Sequence, residues 1–261
     1  GPFHFATLRY LIGAGVLFLA LLATRQSLKP PPLGPTLLIG LAQTTAFQGL
    51  EQLALLHGGA GRVALLAYSM PFWTVLAAWL VLTERPQGRH WLGLAFAGAG
   101  LVLIIEPWHG LHLDASTLLA LSGGATWALG TVFSKRLFQR HAVSALTLTA
   151  WQMLLGALAL GAIATVVDER AITWNLPFLA GLAYSAVLAS ALAWWLWSVV
   201  LKRLPTTVAT VASLGVPVVS VLIAWPLMAE RPSLAEALGI VLVLAGLVAV
   251  SGLGPRRRHQ R

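Results

Sequence analysis

The chain has 261 residues, of which 58% are hydrophobic and 10% charged; it has no cysteine and a formal net charge of +9. An ordinary soluble domain carries about 25% charged residues. This composition excludes a soluble globular enzyme, a disordered chain and a disulfide scaffold.

A crossing helix needs about 20 apolar residues. Nine apolar segments follow one another at about 4–24, 36–56, 62–83, 89–105, 116–138, 144–167, 177–200, 207–228 and 234–253. Each is apolar on all sides, which argues for helices rather than the alternation of a barrel. The first segment carries Arg9 and the second Glu51, each about five residues from the same membrane face. At about 1.5 Å per residue both sit some 7–8 Å deep. Polar groups at such depth are costly and tend to be paired or functional. Three readings stand: Arg9 and Glu51 pair to close an outer gate, form a permanent structural pair, or snorkel separately.

Thr44, Gln48, Glu51 and Gln52 recur at helical spacing on one face of the second segment. That face either lines a cavity or makes hydrogen bonds to neighbouring helices. Pro71 in the third segment and Pro217 in the eighth stand in mid-span, as hinges or as static kinks. Tyr68 and Ser213 lie about one turn before them and are candidate lining residues. In the fifth segment Trp127 follows the small run Ser122-Gly123-Gly124-Ala125, so it walls a cavity or packs within the bundle. Gln152, Tyr184 and Ser190 in the sixth and seventh segments are further cavity candidates. Trp194, Trp195 and Trp197 are expected to face lipid or neighbouring helices, with at most one on the path. Trp91, Trp108 and Trp174 fall at span ends, as interface anchors do.

Basic residues fix an orientation. With the C-terminus inside, the inner loops hold 13 Lys and Arg: Arg25, Lys29, Arg85, Arg89, Lys135, Arg136, Arg140, Lys202, Arg203 and four arginines of the tail. The outer loops hold 3: Arg62, Arg170 and Arg231. This scattering argues against nucleic-acid binding, and the terminal arginine run is a cytoplasmic anchor or a lipid- or partner-binding tail. Gly1 then lies outside.

The chain repeats itself. A shift of 146 residues aligns Pro71 with Pro217, Trp79 with Trp225 and Glu84-Arg85-Pro86 with Glu230-Arg231-Pro232. It gives 14 identities in the 35 positions 68–102 without a gap. The two Glu-Arg-Pro turns fall on opposite faces, so the repeats are inverted, an arrangement that transporters use. Segment 36–56 pairs with 177–200, and 4–24 pairs with 144–167, with Gly13 on Gly156 and Arg9 on Gln152. The counterpart of 116–138 would precede Gly1. The expected fold is therefore an all-α polytopic membrane protein of ten helices in an inverted 5+5 repeat, nine of them in this chain. The N-terminal repeat spans 1–110 and the C-terminal repeat 111–261.

A membrane-span proline followed 13 residues later by Glu, at Pro71/Glu84 and Pro217/Glu230, then a short turn and a Gly-rich helix, resembles the EamA family of the drug/metabolite transporter superfamily. Leu8-Arg9-Tyr10-Leu11 is similar to that family's second helix and Trp127-Ala128-Leu129 to its sixth. The high tryptophan content looks most like bacterial aromatic-amino-acid exporters. The resemblance implies a secondary transporter of the bacterial inner membrane that exports amino acids or similar small metabolites. A drug or nucleotide-sugar transporter is the alternative, and a membrane-embedded enzyme or scaffold the rival class. No phosphate-binding loop, His-Glu-x-x-His motif or pair of mid-span aspartates is present. No cofactor, metal site or catalytic residue is expected. His109 and His112 belong to a solvated loop. The expected partners are a small-molecule substrate and the bilayer, for a monomer or weak dimer.

Overall fold

Backbone groups in lipid find no water, so each crossing segment must satisfy its own hydrogen bonds as a helix. A computed structural model of the chain describes residues 1–57, 63, 66–105, 114–169, 171–228 and 233–251. Among the described residues there are nine helical crossings and no strand. They are α1 (Pro2–Ala23), α2 (Leu33–Ile39, Gly40–Ala46 and Phe47–His57 end to end), α3 (Met70–Leu82), α4 (Gly88–Ile105), α5 (Ala115–Arg140), α6 (Ala145–Ala164), α7 (Leu176–Arg203), α8 (Thr206–Ala212 and Gly215–Met228) and α9 (Leu234–Ser251). Trp108, His109, His112, the second Glu-Arg-Pro turn and the terminal arginine run lie outside the described residues.

Local chemistry sets the ends. Asp114, Ser144 and Asn175 accept from the amides of Thr117, Thr147 and Phe178 at 2.8, 3.0 and 2.9 Å, capping α5, α6 and α7. Arg25 and Thr83 take left-handed backbone (φ 53° and 57°) and stop α1 and α3. Large apolar side chains such as Leu80 (80% exposed) and Leu176 (79%) cover the outer surface, as lipid requires.

Two apolar cores form. One joins α1, α6 and α7 around Tyr10, Leu17, Met153 and Leu160. The other joins α3, α4, α8 and α9 around Val75, Leu101, Val218 and Val243. Each core draws on both sequence repeats, so the repeats interlock. The symmetry shows where α4 crosses α9. A Cβ on Gly246 would lie 2.6 Å from the Gly93 carbonyl, and one on Gly100 would lie 2.5 Å from the Gly239 carbonyl. The 146-residue shift carries Gly93 to Gly239 and Gly100 to Gly246, so it exchanges these two contacts. Only glycine permits an approach this close.

Two local features depart from the expectation. Pro71 and Pro217 do not kink continuous helices. The chain turns at Tyr68-Ser69 and at Ser213-Leu214, then restarts, with Pro71 as second residue of α3 and Pro217 as third residue of Gly215–Met228. Proline lacks an N–H and its ring clashes with the carbonyl four residues back, so it is best accommodated in a first turn. The other feature is a π-helical segment in the middle of α2, Gly40–Ala46, and another in α7, Ser185–Leu192. The repeat shift superposes them to within one residue. At the first, Gly40 meets α6, where a Cβ would lie 2.6 Å from the Gln152 carbonyl, and the Thr45 hydroxyl donates to the Gly156 carbonyl at 2.9 Å.

Candidate functional site

The polar residues of α2 do not share one fate. Its π-helical turn buries three in succession: Gln43, Thr44 and Thr45. Gln43 Nε2 donates to the Thr131 hydroxyl of α5 at 3.0 Å, and Thr45 reaches α6, so these two tie helices together. Gln43 escaped the sequence reading because it stands off the face that Thr44, Gln48, Glu51 and Gln52 share. One turn further on, Gln48 is buried and Glu51 half-buried.

Arg9 and Glu51 come together, but not in contact. Arg9 Nη2 donates to the Tyr10 hydroxyl at 2.5 Å and to Gln48 Oε1 at 3.1 Å. Gln48 Nε2 donates to Glu51 Oε2 at 3.3 Å. No ion pair within 4.0 Å joins the two charges, which corrects the direct pairing. The amide of Gln48 stands between them. The guanidinium also lies over the Tyr10 ring, 4.5 Å from its centroid, a cation–π contact. Arg9 Nε is buried without a partner among the described residues.

Beside these charges lies a chain of rings. Tyr10 meets Trp194 edge-on at 5.2 Å, Trp194 meets Trp127 at 5.0 Å, and Trp127 meets Phe47 at 4.9 Å and Trp197 at 6.2 Å. Such offset and edge arrangements suit the ring quadrupoles. Trp127 is half-buried, so one side of the cluster stays open. Trp194 and Trp197 both touch Trp127 of the neighbouring α5, and Trp195 packs on the first core. The repeat held the missed signal, because the shift of 146 places Trp194 and Trp197 at the positions of Gln48 and Glu51.

The other candidates scatter. Gln152 on α6 and Ser190 in the π-helical turn of α7 are buried, and Gln152 Oε1 and Ser190 Oγ find no partner among the described residues. Tyr68 is half-buried against the second core, in the turn that precedes α3. The Ser213 hydroxyl is spent on its own backbone, donating to the Thr210 carbonyl at 2.6 Å. Tyr184 is 64% exposed and stands just before the π-helical turn of α7. Trp91 and Trp174 are exposed at their helix ends. At the far end of the bundle Lys135 Nζ donates to the Leu201 and Leu204 carbonyls at 2.9 and 2.7 Å, and the Thr206 hydroxyl donates to Glu84 at 3.0 Å. A cavity of about 450 Å³ lies there, lined by Glu84, His90, Lys135 and Arg203 among others.

Known proteins resemble this arrangement along the whole chain. The model of the EamA-like transporter family matches residues 1–106 and 115–252. A probable amino-acid metabolite efflux pump of Salmonella typhimurium is 30% identical over 272 residues, covering 98% of this chain and 88% of that protein. Its namesake in Escherichia coli is 28% identical over the same shares. The uncharacterized transporter YoaV of Bacillus subtilis is 24% identical over 94% of this chain and 86% of its own length. A crystal structure of a protein 23% identical superposes with a TM-score of 0.85, over 97% of this chain and 89% of that one, and so shares the fold.

Proposed function

The chain belongs to the EamA-like transporter family of multi-pass membrane proteins, and from that premise we propose that it exports amino acids or similar small metabolites across the bacterial cytoplasmic membrane. It is a transporter and not an enzyme. One observation carries the substrate reading: a half-open cluster of rings stands directly beside two opposite charges bridged by an amide. Metabolites with an apolar body and a charged head match that pairing of surfaces. The efflux-pump names of the two enterobacterial relatives support the reading.

The proposed mechanism is alternating access, with the C-terminus cytoplasmic as the basic residues indicate. Few charges lie within the spans, so facilitated diffusion, or loose coupling through Glu51, accounts for the composition better than a chain of carboxylates passing protons. Reconstitution into proteoliposomes with a panel of labelled solutes tests this. Amino acids are expected to exchange across the bilayer. Movement of drugs or nucleotide sugars with none of amino acids would reject the substrate class.

A further inference from the structure

The Gln48 amide has an orientation that its neighbours impose. Its oxygen accepts from Arg9 and its nitrogen donates to Glu51, so its negative end faces the cation and its positive end the anion. Two formal charges are thus held about one amide apart, in a region poor in water, each with unused capacity. Arg9 keeps a buried Nε–H without a partner among the described residues, and Glu51 is half-buried. A neutral amide meets each of these charges with only the partial charge of a dipole, whereas a ligand's counter-charge meets it with a full one.

The inverted repeat supplies an independent observation. Arg9, Gln48 and Glu51 of one half correspond to Gln152, Trp194 and Trp197 of the other. Charge is confined to one half, and the equivalent places in the other are given to an amide and two rings. The two surfaces then meet through Tyr10, which takes a hydrogen bond and a cation–π contact from Arg9 and an edge contact from Trp194.

We propose that this junction recognises an α-amino-acid zwitterion with a bulky apolar side chain. The proposal rests on the amino-acid reading above. The carboxylate takes the place of the Gln48 oxygen at Arg9, and the ammonium takes the place of the Gln48 nitrogen at Glu51. The side chain lies on the ring of Trp127, the half-buried member of the cluster next to these charges. A solute that has lost one charge leaves either Arg9 or Glu51 without its counter-charge, which a site poor in water penalises heavily.

The test is uptake of labelled L-phenylalanine into proteoliposomes, with three unlabelled competitors: L-phenylalanine, phenethylamine and 3-phenylpropanoate. In the unaltered protein the two singly charged analogues should compete at least about tenfold more weakly than phenylalanine. Glu51→Gln should weaken phenylalanine about tenfold and narrow its advantage over 3-phenylpropanoate, and Arg9→Gln should do the same with phenethylamine. That exchange of preference is not a consequence of lost folding. Equal competition by all three in the unaltered protein overturns the proposal without any variant. Variants that weaken all three by one factor overturn it too. Phenylalanine flux with charge-blind competition sinks this inference alone, whereas absence of any amino-acid flux sinks the functional reading with it.

Discussion

At the residue scale, the chemistry of the site rests on Gln48, whose role depends on what stands on either side. The periodicity of α2 placed it on a polar face with Glu51, and depth placed Arg9 opposite. That the two charges meet through an amide rather than directly follows from side-chain reach in three dimensions. Glu169 shows the same principle outside the membrane. Its carboxylate accepts from the amides of Phe3 and His4 at 2.7 and 2.9 Å and pairs with the His4 ring at 2.5 Å, satisfying free N–H groups at the start of α1. Burial pushes this carboxyl up, but the hydrogen bonds outweigh it and hold it below the usual carboxylate range. A depressed carboxyl stabilises the fold fully above its unfolded value of about 4.3. The contribution is lost as pH falls through the lower folded value. Thermal melts of the detergent-solubilised protein should therefore drop faster between about pH 5 and pH 3 than those of Glu169→Gln, with the two curves converging at the acid end. Parallel curves would remove Glu169 from the account.

At the element scale, the helices came out where the apolar segments stood, and their interruptions did not. Both prolines mark restarts, and both π-helical turns sit at matching places in the repeats. A repeat that preserves irregularities as well as helices indicates that the irregular turns serve a purpose, since each forgoes regular backbone hydrogen bonds. Pro71→Ala gives the chain the N–H needed to run helix through Tyr68-Ser69. The expected outcome is a Tm held within a few degrees while transport slows about tenfold, the size of effect a hinge change produces when motion limits turnover. Unchanged flux would make the turn a packing feature. The π-helical turns left no trace in the periodicity of the sequence, because segments that are apolar on nearly all sides give no phase for a widened turn to displace. Gly40 and Gly156 hint at the close crossing that accompanies one of them, but glycine is common throughout the chain.

At the scale of the whole molecule, the repeats are not the bodies that pack as units. One core unites α1, α6 and α7, and the other unites α3, α4, α8 and α9, so any rocking motion sets one mixed bundle against another. The turn before α3 touches α5 between them: a Cβ on Gly124 would lie 2.8 Å from Ser69 Oγ. The chain has no cysteine, so a Ser69→Cys, Gly124→Cys pair offers a clean disulfide across this junction. Oxidation should abolish flux and a reductant should restore it to the level of the reduced pair. Full flux in the oxidised protein would show that this junction stays fixed during transport. The membrane class, the nine crossings and the inverted symmetry are legible in the order of residues alone, because hydrophobic length and a gapless repeat are one-dimensional properties. That order also marks Arg9, Gln48 and Glu51, since charge within an apolar span is visible in any window. That Gln48 stands between the charges and that Trp194 and Trp197 join Trp127 follows from packing in three dimensions. In lipid an apolar helix gains little from facing one apolar neighbour rather than another, so close crossings and side-chain geometry, and not hydrophobicity, choose which face turns inward.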